Sequence, residues 1–288
     1  MNTTIHISKL SKSYKNEPVL SELDWSINQG DVIGLLGKNG VGKSTLINAI
    51  LNINPADSGD ISLLGESNKN LSPATKARIG YVPQQNDEIP WLTVKELINF
   101  KKQFYTHWND SKVEELINRW DIDTSKKMAE LSVGQGQRVL IILALAHEPD
   151  LMIFDEPAAA LDPAGRRDFL KEIVNLASEE NKTIIFSTHI TSDLERVANK
   201  VAILHQGKIC HFDDLDTIKE NVVRVAVRRD ELGEISIPHA INTHKENNQI
   251  ISVVSQLDNN WADNIKAQGY QVDINPLGLE DIFLELTA

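Results

Sequence analysis

Apolar positions along the chain fall into short runs that switch between two periods. Alternation at Ile5-His6-Ile7 and across residues 20–27 predicts half-buried antiparallel strands. Residues 32–36 form a short apolar run ending at Gly37, the pattern of a buried strand before a turn. Residues 44–51 then read as a helix, and 61–64 and 79–82 as further short strands. From Thr93 to Trp120 the period becomes helical, with Val94, Leu97 and Ile98 on one segment and Val113, Leu116, Ile117 and Trp120 on another. Residues 134–147 predict a buried helix that ends before Pro149. A strand at 151–154 follows, then a helix opened by Asp162-Pro163 and reaching about Ala177, a strand at 183–187 and a helix at 192–199. Residues 201–204 and 208–212 predict a hairpin turning at Gln206-Gly207. This alternation of strand and helix predicts a mainly parallel sheet covered on both faces.

After about residue 220 the texture changes. Residues 222–227 and 250–254 alternate as strands, with a polar stretch from Glu231 to Asn248 between them. A helix near Trp261, a strand near Val272 and a final helix over 277–286 complete a small appended α+β domain. The boundary is expected between residues 218 and 219.

Composition narrows the function classes. The 288 residues carry 29 Lys+Arg against 41 Asp+Glu, a net charge of −12. That balance argues against wrapping nucleic acid on a general basic surface or gripping anionic lipid through basic clusters. The longest apolar run, 139–146, is far too short for a membrane span, and the N-terminus has no secretion-signal pattern. Cys210 is the only cysteine, so no internal disulfide forms, and a reducing cytoplasmic location is expected. Cys210 itself reads as a small strand residue.

Two segments carry chemistry. Gly37-Lys38-Asn39-Gly40-Val41-Gly42-Lys43-Ser44 matches G-x4-G-K-[ST] between a predicted strand and a predicted helix. Its glycines let backbone N–H groups curl toward phosphate oxygens, and the helix N-terminus adds partial positive charge. Lys43 is expected to reach the β- and γ-phosphates and Ser44 to ligate Mg²⁺, with Gly37, Asn39, Gly40, Gly42 and Thr45 completing the nucleotide cradle. Kinases, GTPases and motor-type ATPases all use such a loop. The second segment, Leu151-Met152-Ile153-Phe154-Asp155-Glu156, brings two carboxylates to the carboxyl edge of the sheet, where ligands bind in open α/β folds. Asp155 is expected to help hold Mg²⁺ and Glu156 to polarise an attacking water. No guanine-reading N-K-x-D signature is apparent.

Leu131-Ser132-Val133-Gly134-Gln135-Gly136-Gln137-Arg138 resembles L-S-G-G-Q-x-Q-R, the signature of the nucleotide-binding subunits of ABC transporters, with Val133 where glycine is usual. The resemblance covers roughly residues 3–215. It implies an α/β fold: a P-loop ATPase core with a mainly parallel sheet, an N-terminal antiparallel β subdomain, an inserted helical subdomain at about 88–136 and the small C-terminal domain. It also implies further site residues. Tyr14 matches the aromatic that stacks on adenine. Gln84 matches the glutamine that contacts Mg²⁺ and water. Ser132, Gly134 and Gln135 match the segment that binds ATP held by the other subunit. Asp162 matches the loop that crosses the dimer interface, here preceded by alanines, and His189 the switch histidine near the γ-phosphate. Two subunits are thus expected to sandwich two ATP molecules head to tail, as a homodimer or heterodimer, against separate transmembrane permease subunits on the inner face of the cytoplasmic membrane. No nucleic acid is expected. Trp91, after Pro90, is the best candidate for contact with that partner. Leu279-Glu280-Asp281-Ile282-Phe283-Leu284-Glu285-Leu286-Thr287 resembles the tail of ATPases from type-2 exporters of drugs, sodium and polysaccharide. An importer ATPase, a soluble ABC protein of translation or DNA repair, and a nucleotide-gated module without turnover are the alternatives. The single phosphate loop and the absence of a heptad array argue against the soluble proteins. The presence of Lys43, Asp155, Glu156 and His189 argues against the module.

Overall fold

In the computed structural model, β1 (Thr3–Tyr14) and β2 (Glu17–Asn28) pair antiparallel, with Ile7 opposite Trp25. The structure describes residues 2–84, 89–179, 181–229, 235–246 and 248–288. The expected start of the helical insertion at Glu88 and of the polar stretch at Glu231 lie outside them. The alternation in β1 and β2 buries Ile5, Ile7, Leu10, Leu20, Leu23, Trp25 and Ile27 on one side. Both strands run well beyond the residues that alternate, because bulges at Lys9 and Glu22, each at positive φ, shift the inward face.

The following elements are β3 (Val32–Leu36), α1 (Lys43–Ile50), β4 (Ser58–Leu63), β5 (Glu66–Ser67), α2 (Pro73–Lys76) and β6 (Ile79–Val82). Then come α3 (Val94–Lys102), α4 (Asp110–Arg119), α5 (Val133–Leu145), β7 (Leu151–Phe154) and α6 (Pro163–Ser178). The series closes with β8 (Thr183–Thr188), α7 (Thr191–Val197), β9 (Lys200–His205) and β10 (Lys208–Asp214). One four-stranded antiparallel sheet has the order β2-β1-β4-β5, and a six-stranded sheet has the order β10-β9-β3-β8-β7-β6. In the second sheet, β9, β3, β8, β7 and β6 run parallel to their neighbours, and β10 returns from β9 through the two-residue turn Gln206-Gly207.

The uniformly apolar strands follow from cover on both faces. Ile33 and Leu35 of β3 pack with Leu46 and Ile47 of α1 in a core shared with the antiparallel sheet. Gly34, pointing the other way, lies under α7, where an added Cβ would sit 2.1 Å from Leu194 Cγ. Glycine at 34 is thus a condition for α7 to approach the sheet. The helical stretch divides in two. Thr93 and Glu96 form a reciprocal capping box at the start of α3, and the Asn109 side chain caps α4. Between them Tyr105 stacks on His147 at 4.1 Å, and Glu148 accepts from Asn109 at 2.6 Å and lies 2.5 Å from His107 Nε2. Glu172, buried on α6, ties α4 to the core through Arg119 at 2.8 Å and Lys112 at 3.6 Å.

Residues 1–212 form one compact unit and 213–288 a second. The division falls six residues before the expected one, since α8 (Leu215–Asn221) belongs to the second unit. The second unit also contains β11 (Val223–Arg228), β12 (Ala240–Glu246), β13 (Gln249–Val254), α9 (Asn259–Ala267), β14 (Gln271–Pro276) and α10 (Leu279–Leu286). Its antiparallel sheet has the order β12-β13-β11-β14, and Val225, Val227, Ile250 and Val254 are among its core residues. The strand β12 lies within the stretch read as merely polar. Leu279, Ile282 and Phe283 bury the inner face of α10, and Asn242 of β12 donates to Glu285 O at 2.9 Å. No helix among the described residues is long and apolar enough to cross a membrane.

Candidate functional site

Parallel strands aligned in one direction deliver their carboxyl ends to one edge of the sheet, and four of them supply the candidate residues there. After β3, the loop turns into α1 through Gly40 (φ 80°) and Gly42 (φ 108°), both in the left-handed region. Gly42 is also the N-cap of α1, and a Cβ on it would lie 2.7 Å from Val19 Cγ1. The left-handed turns and the helix start form an anion-binding concavity. Lys43 is buried, and its Nζ donates to Gly37 O at 2.9 Å.

After β7 come the carboxylates. Asp155 is buried, its N–H donates to Val82 O at 2.9 Å, and its Oδ1 accepts from Ser187 Oγ at 2.7 Å. Burial and the nearby Asp155 carboxylate push the Tyr81 hydroxyl up to about 12. Glu156 adopts φ 46°, unusual for a residue with a side chain, and its N–H donates to Ser187 Oγ at 2.8 Å. Its carboxylate lies 3.2 Å from Lys43 Nζ, accepts from Gln84 Nε2 at 3.4 Å, and is 3.5 Å from His189 Nδ1. Glu156 is therefore where the phosphate-loop lysine, the β6 glutamine and the β8 histidine meet.

A cleft of 430 Å³ is bordered by Asn39, Gly40, Gly42, Lys43, Ser44 and Thr45 together with Gln84 and Glu156, whereas Gly37, Asp155 and His189 lie beside it without lining it. The hydroxyl of Ser44, the amide oxygen of Gln84 and the carboxylate of Asp155 are hard oxygen donors, the set that suits Mg²⁺. No cluster of three His, Cys, Asp or Glu ligands occurs among the described residues.

The other expected residues do not border this cleft. Tyr14 ends β1, half exposed, with its hydroxyl accepting from Asn54 at 2.7 Å and Lys12 Nζ 5.5 Å from its ring centre. Ser132 and Gln135 cap the start of α5 reciprocally, leaving Val133 75% exposed. A Cβ on Gly134 would lie 3.0 Å from Ala160 O, so the signature helix packs against the alanine loop at its first turn. Asp162 caps α6 by accepting from Gly165 N–H at 2.7 Å and also accepts from Arg138 at 3.1 Å. Arg138 thus joins the signature helix to the Asp162 loop.

A family model described as "ABC transporter" matches residues 20–159. The ABC transporter ATP-binding protein YtrB of Bacillus subtilis is 33% identical over 226 residues, 78% of this chain and 77% of that protein. The chain belongs to the ABC transporter ATP-binding proteins. Another relative of this ABC ATPase is the bacitracin transport ATP-binding protein BcrA of Bacillus licheniformis, 32% identical across 76% of the chain and 72% of that protein. The Nod factor export ATP-binding protein I of Rhizobium etli is 29% identical across 99% of the chain and 94% of its own length, so that likeness extends through the second unit. Among solved structures, an ATP binding subunit of an ABC transporter superposes with a TM-score of 0.68 at 28% identity, covering 76% of this chain and 92% of that one. The α/β architecture of this ABC ATPase, with its mostly parallel sheet and antiparallel strands, is that of its family. The chain is an ATP hydrolase of the ABC type.

Two contributors to the ABC site were given no role by the sequence reading. Ser187 reads as one more residue of a buried strand, and only its position two before His189 distinguishes it. Arg138, the last residue of the signature segment, reveals its tie to Asp162 only in three dimensions.

Proposed function

We propose that the chain is the ATPase subunit of an ABC exporter, working as a head-to-tail dimer against separate membrane subunits at the cytoplasmic face of the membrane. The observation that carries this reading is the convergence of Lys43, Gln84 and His189 on the Glu156 carboxylate, at 3.2, 3.4 and 3.5 Å.

The phosphate loop binds the nucleotide phosphates through backbone N–H groups and Lys43, and Tyr14 stacks on adenine. In the conformation described, the Lys43 ammonium is neutralised by Glu156. Phosphate therefore competes with Glu156 for Lys43, and nucleotide capture frees the Glu156 carboxylate. Ser44, Gln84 and Asp155 would hold Mg²⁺, which would supply positive charge to offset that of the phosphate oxygens. Glu156 then accepts a proton from the water that attacks the γ-phosphorus as the bond to the β–γ bridging oxygen breaks. His189 contacts the γ-phosphate side and stays within reach of Glu156.

Ser132, Gly134, Gln135 and Asp162 lie off the chain's own cleft, which leaves the N-terminus of α5 for the nucleotide of a second subunit. ATP then holds the two subunits together and hydrolysis releases them. The inserted helices present Trp91, 70% exposed, to the membrane partner. The tail resemblance around α10, together with relatives named for bacitracin transport and Nod factor export, favours export. Residues 1–212 serve as the ATPase domain and 213–288 as an accessory domain. The test is to isolate the full chain from membranes in mild detergent and identify what accompanies it. Multi-span membrane subunits are expected; recovery only with ribosomes or DNA contradicts the proposal.

A further inference from the structure

Ser187 has no exposed surface, yet its hydroxyl makes two contacts at the reacting edge of the sheet. It donates to Asp155 Oδ1 at 2.7 Å and accepts the Glu156 N–H at 2.8 Å. One O–H proton and one lone pair are thus both used, on consecutive residues. The second contact falls on a backbone that needs support. Glu156 is held at φ 46°, a region that a residue with a Cβ enters only when its surroundings enforce it. That twist turns the Glu156 side chain toward Lys43, Gln84 and His189 instead of along the strand.

The Ser187 hydroxyl is the tie that bears on both residues. Asp155 is almost fully buried, and the Ser187 donor selects the orientation in which one carboxylate oxygen faces β8. An aliphatic residue at 187 would fill the same space in the strand but would leave the Glu156 N–H without this acceptor and Asp155 without this donor. Ser187 also lies two residues before His189, so β8 reaches Glu156 twice, on its backbone and on its side chain.

We propose that Ser187 is a positioning residue for ATP hydrolysis: its hydroxyl holds the Asp155 carboxylate and the left-handed Glu156 backbone in one arrangement. It therefore supports turnover and Mg²⁺ use, and contributes little to capture of the nucleotide itself. This rests on the roles proposed for Asp155 and Glu156.

Three substitutions in the full chain test it. Ser187→Ala removes the hydroxyl. Ser187→Thr and Ser187→Val share one shape and differ only in hydroxyl against methyl, so they separate hydrogen bonding from packing. For Ala and Val, kcat is expected to fall about tenfold or more, as for loss of a hydrogen bond to a charged group. KM for ATP stays within about twofold and the half-saturating Mg²⁺ concentration rises, while Thr keeps kcat within about threefold. Binding of trinitrophenyl-ATP without Mg²⁺, which involves no turnover, is expected to be unchanged in all three. Equal activity of Val and Thr, whether both high or both low, overturns the proposal. So does a parallel loss of kcat, KM and trinitrophenyl-ATP binding. A Glu156→Gln control run alongside separates the levels. A slow control beside a fully active Ser187→Val removes Ser187 alone, whereas a normally active control removes the assignment of Glu156 and Ser187 with it.

Discussion

Glu172 is the most informative position for the mechanical link between the inserted helices and the core. It sits on α6 with its side chain 5% exposed, and it binds Arg119 of α4 at 2.8 Å and Lys112 at 3.6 Å. With an effective dielectric of about 20, attraction at 2.8 Å amounts to roughly 6 kcal/mol before desolvation is subtracted. Breaking a fully buried pair by removing one partner costs about 3–5 kcal/mol. Arg119 is 37% exposed and keeps a second partner in Glu115, so Glu172→Leu is expected to cost nearer 2 kcal/mol. For a unit of this size, that lowers the melting temperature by about 4–8 °C. Scanning calorimetry reads it on the transition of larger enthalpy, the one expected from its size for the unit of residues 1–212. A cycle with Arg119→Met should give a coupling of about 1–2 kcal/mol. An unchanged melting temperature, or zero coupling, refutes the claim that this pair pins α4 to the core.

Lys43→Ala removes the one side-chain cation that, among the described residues, borders the phosphate cleft and should raise the dissociation constant for ATP by at least about tenfold in equilibrium titration. Burial holds the His147 imidazole below its usual range, so the folded chain binds fewer protons there than the unfolded chain. The stability it contributes is therefore present above about pH 6.5 and falls as the solution is acidified below it. Replacing His147 with Phe, which can still stack on Tyr105, should flatten that part of the melting-temperature profile.

The legible parts of the fold are those in which one local rule dominates. β3, the phosphate loop and α1 could be read because an all-apolar strand, a run of glycines and a helix follow one another without ambiguity. β7 and its two carboxylates could be read for the same reason. β12 could not, because residues 240–246 lie on the outer edge of their sheet and show little burial, leaving no apolar alternation to detect. The seven-residue α8 buries only Leu215 and Ile218, too little for a helical period, and the domain boundary moved with it. At the site, the residue types and their order were visible, whereas the geometry was not. Nothing local in Phe154-Asp155-Glu156 announces a left-handed Glu156, and nothing in Phe186-Ser187-Thr188 announces the hydroxyl that holds it, because both depend on a parallel pairing of strands some thirty residues apart.

Glu156, at the meeting point of Lys43, Gln84 and His189, is the residue on which hydrolysis turns in the proposed mechanism. Its direct test is Glu156→Gln, assayed for single-turnover ATP hydrolysis with Mg²⁺ and, in parallel, for ATP-dependent dimerisation by light scattering. Hydrolysis is expected to slow by about 10²–10⁴-fold, with ATP still bound and a dimer that persists. Hydrolysis at the rate of the unmodified chain would contradict it.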